Sequence, residues 1–405
     1  MNAGLVITPE AEGYLEALVE ELTIPPGRYE QAVNRYTSLG DWLHRDASTV
    51  KQYDPQVYSQ GSFRLGTAIR PENENGQYDI DCVCELRALT KSSLTQSRLK
   101  ELLGYEIELY RKAQSMLNPL AEGRRCWTLQ YADGAQFHLD IVPALPNGAD
   151  TKVLLERSGL DARWAATAIA ITDNEHRNYW IFSDDWPRSN PKGYAAWFKS
   201  RMSVIFDRKR RRLAERANAS VESIPEHKVL TPLQQAIMIL KRHRDTMFSA
   251  RPKDKPISAI ITTLAGHSYE GEETIGQALV AILSKMDRFI QVINQGYYIP
   301  NPADPLENLA DKWAKHPQRR EAFYEWLQAA RIDFYTAAQR SNSQLIVEDV
   351  ATRVGRGLAE RAKVRSSVPR PSGLLKAATV APAVAAPSFP AAARVPTKPA
   401  GFGGQ

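Results

Sequence analysis

Cysteine is scarce in this sequence. Three of them, Cys82, Cys84 and Cys126, in 405 residues make no disulfide framework. Cys82 and Cys84 stand two apart on an expected strand, so they read as small core residues rather than metal ligands. The seven histidines are scattered and show no zinc-like spacing. No apolar run approaches the roughly 18 residues that span a membrane. The start, MNAGLVITPEAEGYLEALVEEL, lacks the basic-then-apolar order of a signal peptide. These absences point to the cytoplasm, with no membrane partner. No internal repeat is visible.

What is present is ordinary in bulk: 43% hydrophobic and 24% charged residues, enough chain for two packed lobes. The formal net charge is +6. DRKRRRLAER, residues 207 to 216, and a basic tail contribute to it. That run reads as a solvated face, or as a surface for an anionic partner such as nucleic acid or nucleotide.

Helical spacing is clear near the start. Leu15, Leu18, Val19 and Leu22 form one stripe after the start signal Thr8-Pro9. Pro25-Pro26-Gly27 breaks it, and a longer helix carries Tyr29, Ala32, Val33, Tyr36, Leu39 and Leu43. Strands are expected at Ile80 to Leu86, Cys126 to Tyr131 and Phe137 to Val142, with a helix over roughly 94 to 116 between the first two. Asp133-Gly134 should turn the last two into a hairpin. Residues 145 to 230 mix strand-like and loop-like pieces. From Thr231-Pro232 the chain turns helical. One expected helix carries Ile275, Leu279, Ile282, Met286, Phe289 and Ile293, and others run to about 362. After about 365 the Ala, Pro, Val and Ser-rich tail has no apolar face to dock and should be disordered.

The chemistry concentrates between residues 60 and 140. Asp79 and Asp81 leave the same face of a strand. Two such carboxylates repel, and a hard divalent cation relieves the conflict. FHLDIVPAL sets Asp140 inside an apolar strand, where an acid is costly unless paired or bound to metal. Three convergent carboxylates can hold two ions for an in-line displacement. Gly61 lets backbone approach a phosphate, and Ser62 offers a hydroxyl and an N–H to an anion.

Gly-Ser, then Asp-x-Asp, then a strand Asp resembles the polymerase β-type nucleotidyltransferase superfamily. The finer resemblance is to the CD-NTases, bacterial relatives of cyclic GMP–AMP synthase and oligoadenylate synthetase. QGSFRLGT, YDIDCVCEL, FHLDIVPAL, RSNPKGYAAWF, TPLQQAIMILKRHRD, KPISAIITTLAG and IPNPADPLENLADKW carry it in the family's order. They cover roughly residues 50 to 320. The insert RPENENGQ lengthens the gap from Ser62 to Asp79, and the zinc insertion of the animal DNA sensor is absent.

The resemblance implies an α+β fold: a polymerase β-like catalytic lobe with a mixed sheet, a helical lobe and a disordered tail. Its divisions would be 1–50, N-terminal helices packing on both lobes; 51–230, the catalytic lobe; 231–364, the helical lobe; and 365–405, the tail. It implies Asp79, Asp81 and Asp140 as catalytic residues and ligands of two Mg²⁺ ions, with Mn²⁺ as a substitute. Gln60, Gly61, Ser62, Lys241, Ser258 and Asp304 would bind nucleotide. SNPKGY, residues 189 to 194, is a turn or a substrate contact. The activity implied is synthesis of a cyclic di- or trinucleotide messenger from ATP, alone or with GTP or a pyrimidine NTP, read by an effector in anti-phage signalling. A ubiquitin-ligase-like partner conjugating the C-terminus is also implied. The alternatives are a linear oligoadenylate or RNA-end nucleotidyltransferase, and a non-catalytic nucleic-acid-binding protein.

Overall fold

A computed structural model describes residues 6–72, 76–131 and 137–367. Helix α1 (Pro9–Leu22) begins where the Thr8 side chain accepts from the Ala11 N–H, and α2 (Pro26–Leu43) begins on the second of two prolines. Strand β1 (Pro55–Ser59) leads into the one-turn helix α3 (Gly61–Leu65) and then β2 (Tyr78–Leu86). Helix α4 (Gln96–Ala113), capped by Thr95, precedes β3 (Ala121–Glu122), β4 (Trp127–Tyr131) and β5 (Phe137–Pro146). The Asp133-Gly134 turn lies outside the described residues, but β4 and β5 pair antiparallel as that turn requires. Helix α5 (Gly148–Arg157), β6 (Ile169–Ile171) and β7 (Arg188–Ser189) complete a seven-stranded mixed sheet of order β1-β2-β5-β4-β3, with β6 and β7 added at the end of β5.

The next element corrects the sequence reading. Residues 191 to 217, expected as strand-like and loop-like pieces, form the 27-residue helix α6 (Pro191–Ala217). Trp197, Phe198, Met202, Ile205 and Phe206 are its buried side, and their spacing is helical. The basic run on its second half is not simply solvated. Lys209 Nζ reaches the Leu230 carbonyl at 3.2 Å, and Arg210 Nε the Ile224 carbonyl at 3.0 Å. Both brace the segment that leads to α7 (Pro232–Met247), which opens on a full Thr231–Gln234 capping box.

Helices α8 (Ser258–Ser268) and α9 (Ile275–Lys285) follow. The expected helix through Ile293 stops at Lys285. A 3₁₀ turn carries Met286 and Phe289, and Ile293 lies in β8 (Gln291–Ile293), paired with β9 (Gly296–Tyr298). The hairpin β10 (Pro300–Asn301) and β11 (Asp304–Asn308) leads to α10 (Pro317–Ala338), α11 (Ser343–Val354) and α12 (Arg356–Ser367). The expected start of the tail at 365 is therefore too early. Arg365 belongs to α12 and pairs with Glu21 at 2.6 Å. The remaining tail, from 368, lies outside the described residues.

Two large cores form. One lies between the sheet and the helices α2 and α4, and holds Cys82 and Cys84 among its buried residues. The other unites α1 with α7 to α12. Helix α6 gives Trp197, Phe198, Met202 and Ile205 to this second core, so the helical lobe takes in residues well before the expected boundary at 230. Among the described residues no helix is long and apolar enough to cross a membrane.

Candidate active site

Strands β2 and β5 run parallel, and their register sets Asp81 opposite Asp140 and Asp79 opposite His138. Alternation along both strands sends these four side chains to one face, while Ile80, Cys82, Leu139 and Ile141 fill the core behind. Thr128, opposite Asp140 on β4, donates its hydroxyl to the Asp140 carboxylate and fixes its orientation. The Asp79 side chain is 82% exposed and stands 3.9 Å from His138 Nδ1. Burial, then the neighbouring Asp140 and Asp79, push the Asp81 carboxyl up to about 6, with Lys241 pulling the other way.

The Gly-Ser turn is built against these acids. Gln60 donates its N–H to the Asp81 carbonyl at 2.8 Å, so β1 delivers α3 directly beside β2. Gly61 has φ of +60°, and a Cβ there would lie 2.5 Å from Asp81 Oδ2. Only glycine tolerates both the conformation and that approach. The Ser62 carbonyl accepts from the Thr67 N–H and closes the turn. Behind it, Phe63 stacks on Tyr29, which stacks on His227.

Lys241 is not the open helix lysine that its sequence suggests. It is 6% exposed, and its Nζ donates to the Thr67 carbonyl at 2.8 Å. Burial and the nearby Arg244 lower its ammonium to about 8. Ser258 opens α8, and its hydroxyl accepts from Arg244 Nη1 at 2.8 Å. Asp304 is 2% exposed and ion-paired with Arg188 at 3.0 Å. It joins the hairpin β10–β11 to the sheet edge rather than lining open space. SNPKGY is a junction of the same kind. The Asn190 side chain caps α6 at Gly193 N, accepts from Thr167, and donates to the carbonyls of Trp164 and Ala303.

The sequence reading missed His138, Thr128 and Lys255. The first two share the alternation that exposed Asp140, being its i−2 neighbour and its cross-strand partner. Lys255 lies in the loop before α8, 3.0 Å from Asp245, which stands one helical turn beyond Lys241 on α7.

A mixed sheet bearing three acids beside a Gly-Ser turn, joined to a helical lobe through Lys241, resembles a nucleotidyltransferase of the polymerase β type. Residues 55–143 match the family described as cyclic GMP-AMP synthase DncV-like, nucleotidyltransferase domain. The c-di-GMP synthase of Roseivirga ehrenbergii is 29% identical over 332 residues, 80% of this chain and 79% of that protein. The structure of Bradyrhizobium diazoefficiens CD-NTase CdnG in complex with GTP superposes with a TM-score of 0.65 at 21% identity, covering 87% of this chain and 98% of that one. That of Escherichia coli MS115-1 CdnC with HORMA-deltaN gives 0.55 at 15% identity, with the same coverage. The chain is thus similar over most of its length to CD-NTases, and residues 55–143 match their nucleotidyltransferase domain.

Proposed function

We propose that the protein is a cyclic dinucleotide synthase that uses GTP, joining nucleotides through phosphodiester bonds with release of pyrophosphate. The observation that carries this reading is the single face on which Asp79, Asp81 and Asp140 stand in register, with the Gly61 turn pressed against Asp81. The guanine preference rests on the c-di-GMP synthase and the GTP complex among the relatives. It puts GTP in the place of the ATP, alone or with GTP or a pyrimidine NTP, that the resemblance implied. The product would serve as a second messenger read by an effector in anti-phage signalling.

The donor chemistry fits magnesium. All three acids offer hard oxygens, and burial, then the neighbouring Asp140 and Asp79, raise the Asp81 carboxyl, a cost that a bound cation would offset. Among the described residues no group of three or more His, Cys, Asp or Glu is placed to hold an ion unaided. Substrate phosphates would complete the coordination, as is usual for Mg²⁺. Two ions held by Asp79, Asp81 and Asp140 would supply activation of the attacking ribose hydroxyl and charge neutralisation at the α-phosphate.

The chain's own groups do the positioning. Thr128 holds Asp140 in one orientation. The Gln60 and Gly61 backbone brings Ser62 to the phosphates beside Asp81. Lys241 fixes the Thr67 end of that turn from the helical lobe. The test is incubation with each NTP and each pair of NTPs, with Mg²⁺ or Mn²⁺, followed by phosphatase treatment and mass analysis. A phosphatase-resistant cyclic product from GTP is expected. A phosphatase-sensitive chain of adenylates would instead identify a linear oligoadenylate synthase, and salt-dependent RNA or DNA binding without turnover a non-catalytic binder.

A further inference from the structure

The cation that the motifs single out is already engaged. Lys241 is buried, with its Nζ on the Thr67 carbonyl. A lysine held that way steers the turn after α3 and has little freedom to follow a substrate. A triphosphate entering beside three carboxylates needs a second, reachable positive charge. Lys255 supplies one. Its side chain is 38% exposed, and its partner Asp245 lies one helical turn beyond Lys241 on α7.

Its surroundings are built rather than incidental. Arg244 is 3% exposed. Its Nη1 donates to the Pro256 carbonyl at 3.0 Å and to Ser258 Oγ at 2.8 Å. Its Nε and Nη2 both donate to Asp245 Oδ1, at 3.0 and 2.7 Å. Lys255 Nζ sits 3.0 Å from the same Oδ1. One carboxylate oxygen thus faces three donors with two lone pairs. The arginine is buried and doubly attached, so Lys255 is the donor that can leave. A half-exposed lysine–carboxylate pair is weak, and a charge-assisted bond to phosphate is stronger.

We infer that Lys255 is a triphosphate-binding residue at the rim of the cleft, presented together with the Ser258 hydroxyl by the positioning pair Arg244–Asp245. The inference rests on the nucleotidyltransferase reading and adds to it the group that takes the β- and γ-phosphates. A lysine serving only to hold its loop would affect nucleotides with and without those phosphates alike.

The test uses the full chain with Mg²⁺ and measures equilibrium binding of α,β-methylene GTP, inorganic triphosphate and GMP. Lys255→Ala should weaken the first two about 10-fold and leave GMP within about twofold. Lys255→Arg should restore most of the loss, since it keeps the charge. Lys253→Ala, an exposed change in the same loop, should alter neither, and melting curves should show every variant folded. Unchanged triphosphate binding in Lys255→Ala, an equal loss for GMP, or no binding of inorganic triphosphate to the wild type each overturns the inference. If wild type makes product from GTP and Lys255→Ala has unchanged kinetics, this inference fails and the proposed function stands. If wild type makes no product from GTP, yet triphosphate binding depends on Lys255, the substrate reading fails and this inference stands.

Discussion

Asp81→Asn should stabilise the metal-free protein while abolishing its chemistry. The Asp81 carboxyl is held at about 6 against an ordinary 3.8, by burial and by Asp140 and Asp79. A carboxyl raised in this way favours the fold while protonated. That contribution is complete below about pH 4 and is lost as pH rises through about 6. A gap of about 2 in pH is worth at most about 3 kcal/mol, and solvent at the open site reduces it to about 1–2 kcal/mol. At pH 8 in EDTA, Asp81→Asn should therefore melt roughly 1–4 °C above wild type. At pH 4.5 the difference should shrink to about a third of that, because the unfolded-state carboxyl is already mostly ionised there. Adding Mg²⁺ and GTP should raise the wild-type melting temperature and not that of the variant, and product formation by the variant should vanish. Calorimetry at the two pH values, paired with the product assay, measures all of this. An Asp81→Asn protein that melts below wild type at pH 8, or gains equally at both pH values, would refute the account of like-charge strain.

Gly61→Ala should cost about 1–2 kcal/mol from the left-handed backbone alone and push the new methyl into Asp81, 2.5 Å away. Product formation should fall at least about tenfold with a cooperative melt retained. Lys241→Ala should leave the Thr67 carbonyl buried and unpartnered, lowering stability by about 1–3 kcal/mol and raising the KM for GTP; melts and initial rates check both. Asp304→Ala should leave Arg188 without its partner at a cost of about 2–3 kcal/mol, read by denaturant titration, with kcat within a few-fold of wild type. A raised KM with unchanged stability would return Asp304 to the nucleotide pocket.

The legible part of the site is the part written locally. Asp79 and Asp81 are i and i+2 on a strand, and Asp140 is the one acid in FHLDIVPAL, so strand periodicity alone puts each on a polar face. The register that brings Asp81 opposite Asp140 is not local, since β2 and β5 are joined through a helix and two further strands. The same distinction explains α7. Its stripe of Leu233, Ile237 and Leu240 is helical in spacing, but nothing local places Lys241, Arg242, His243 and Arg244 inside. All four are buried. Four consecutive polar, mostly charged side chains go inside only if each finds its own partner, and the partners come from three separate segments. Lys241 meets the Thr67 carbonyl and Arg242 the Arg70 carbonyl, 174 and 172 residues away. His243 meets Asp333, 90 residues away, while Arg244 turns to Ser258, only 14 away. Propensity and periodicity describe a helix's own surface and are silent about acceptors brought by the rest of the chain. A charged cluster that local pattern assigns to solvent can therefore be the hinge on which the phosphate turn, the loop before β2 and the rim lysine are all hung.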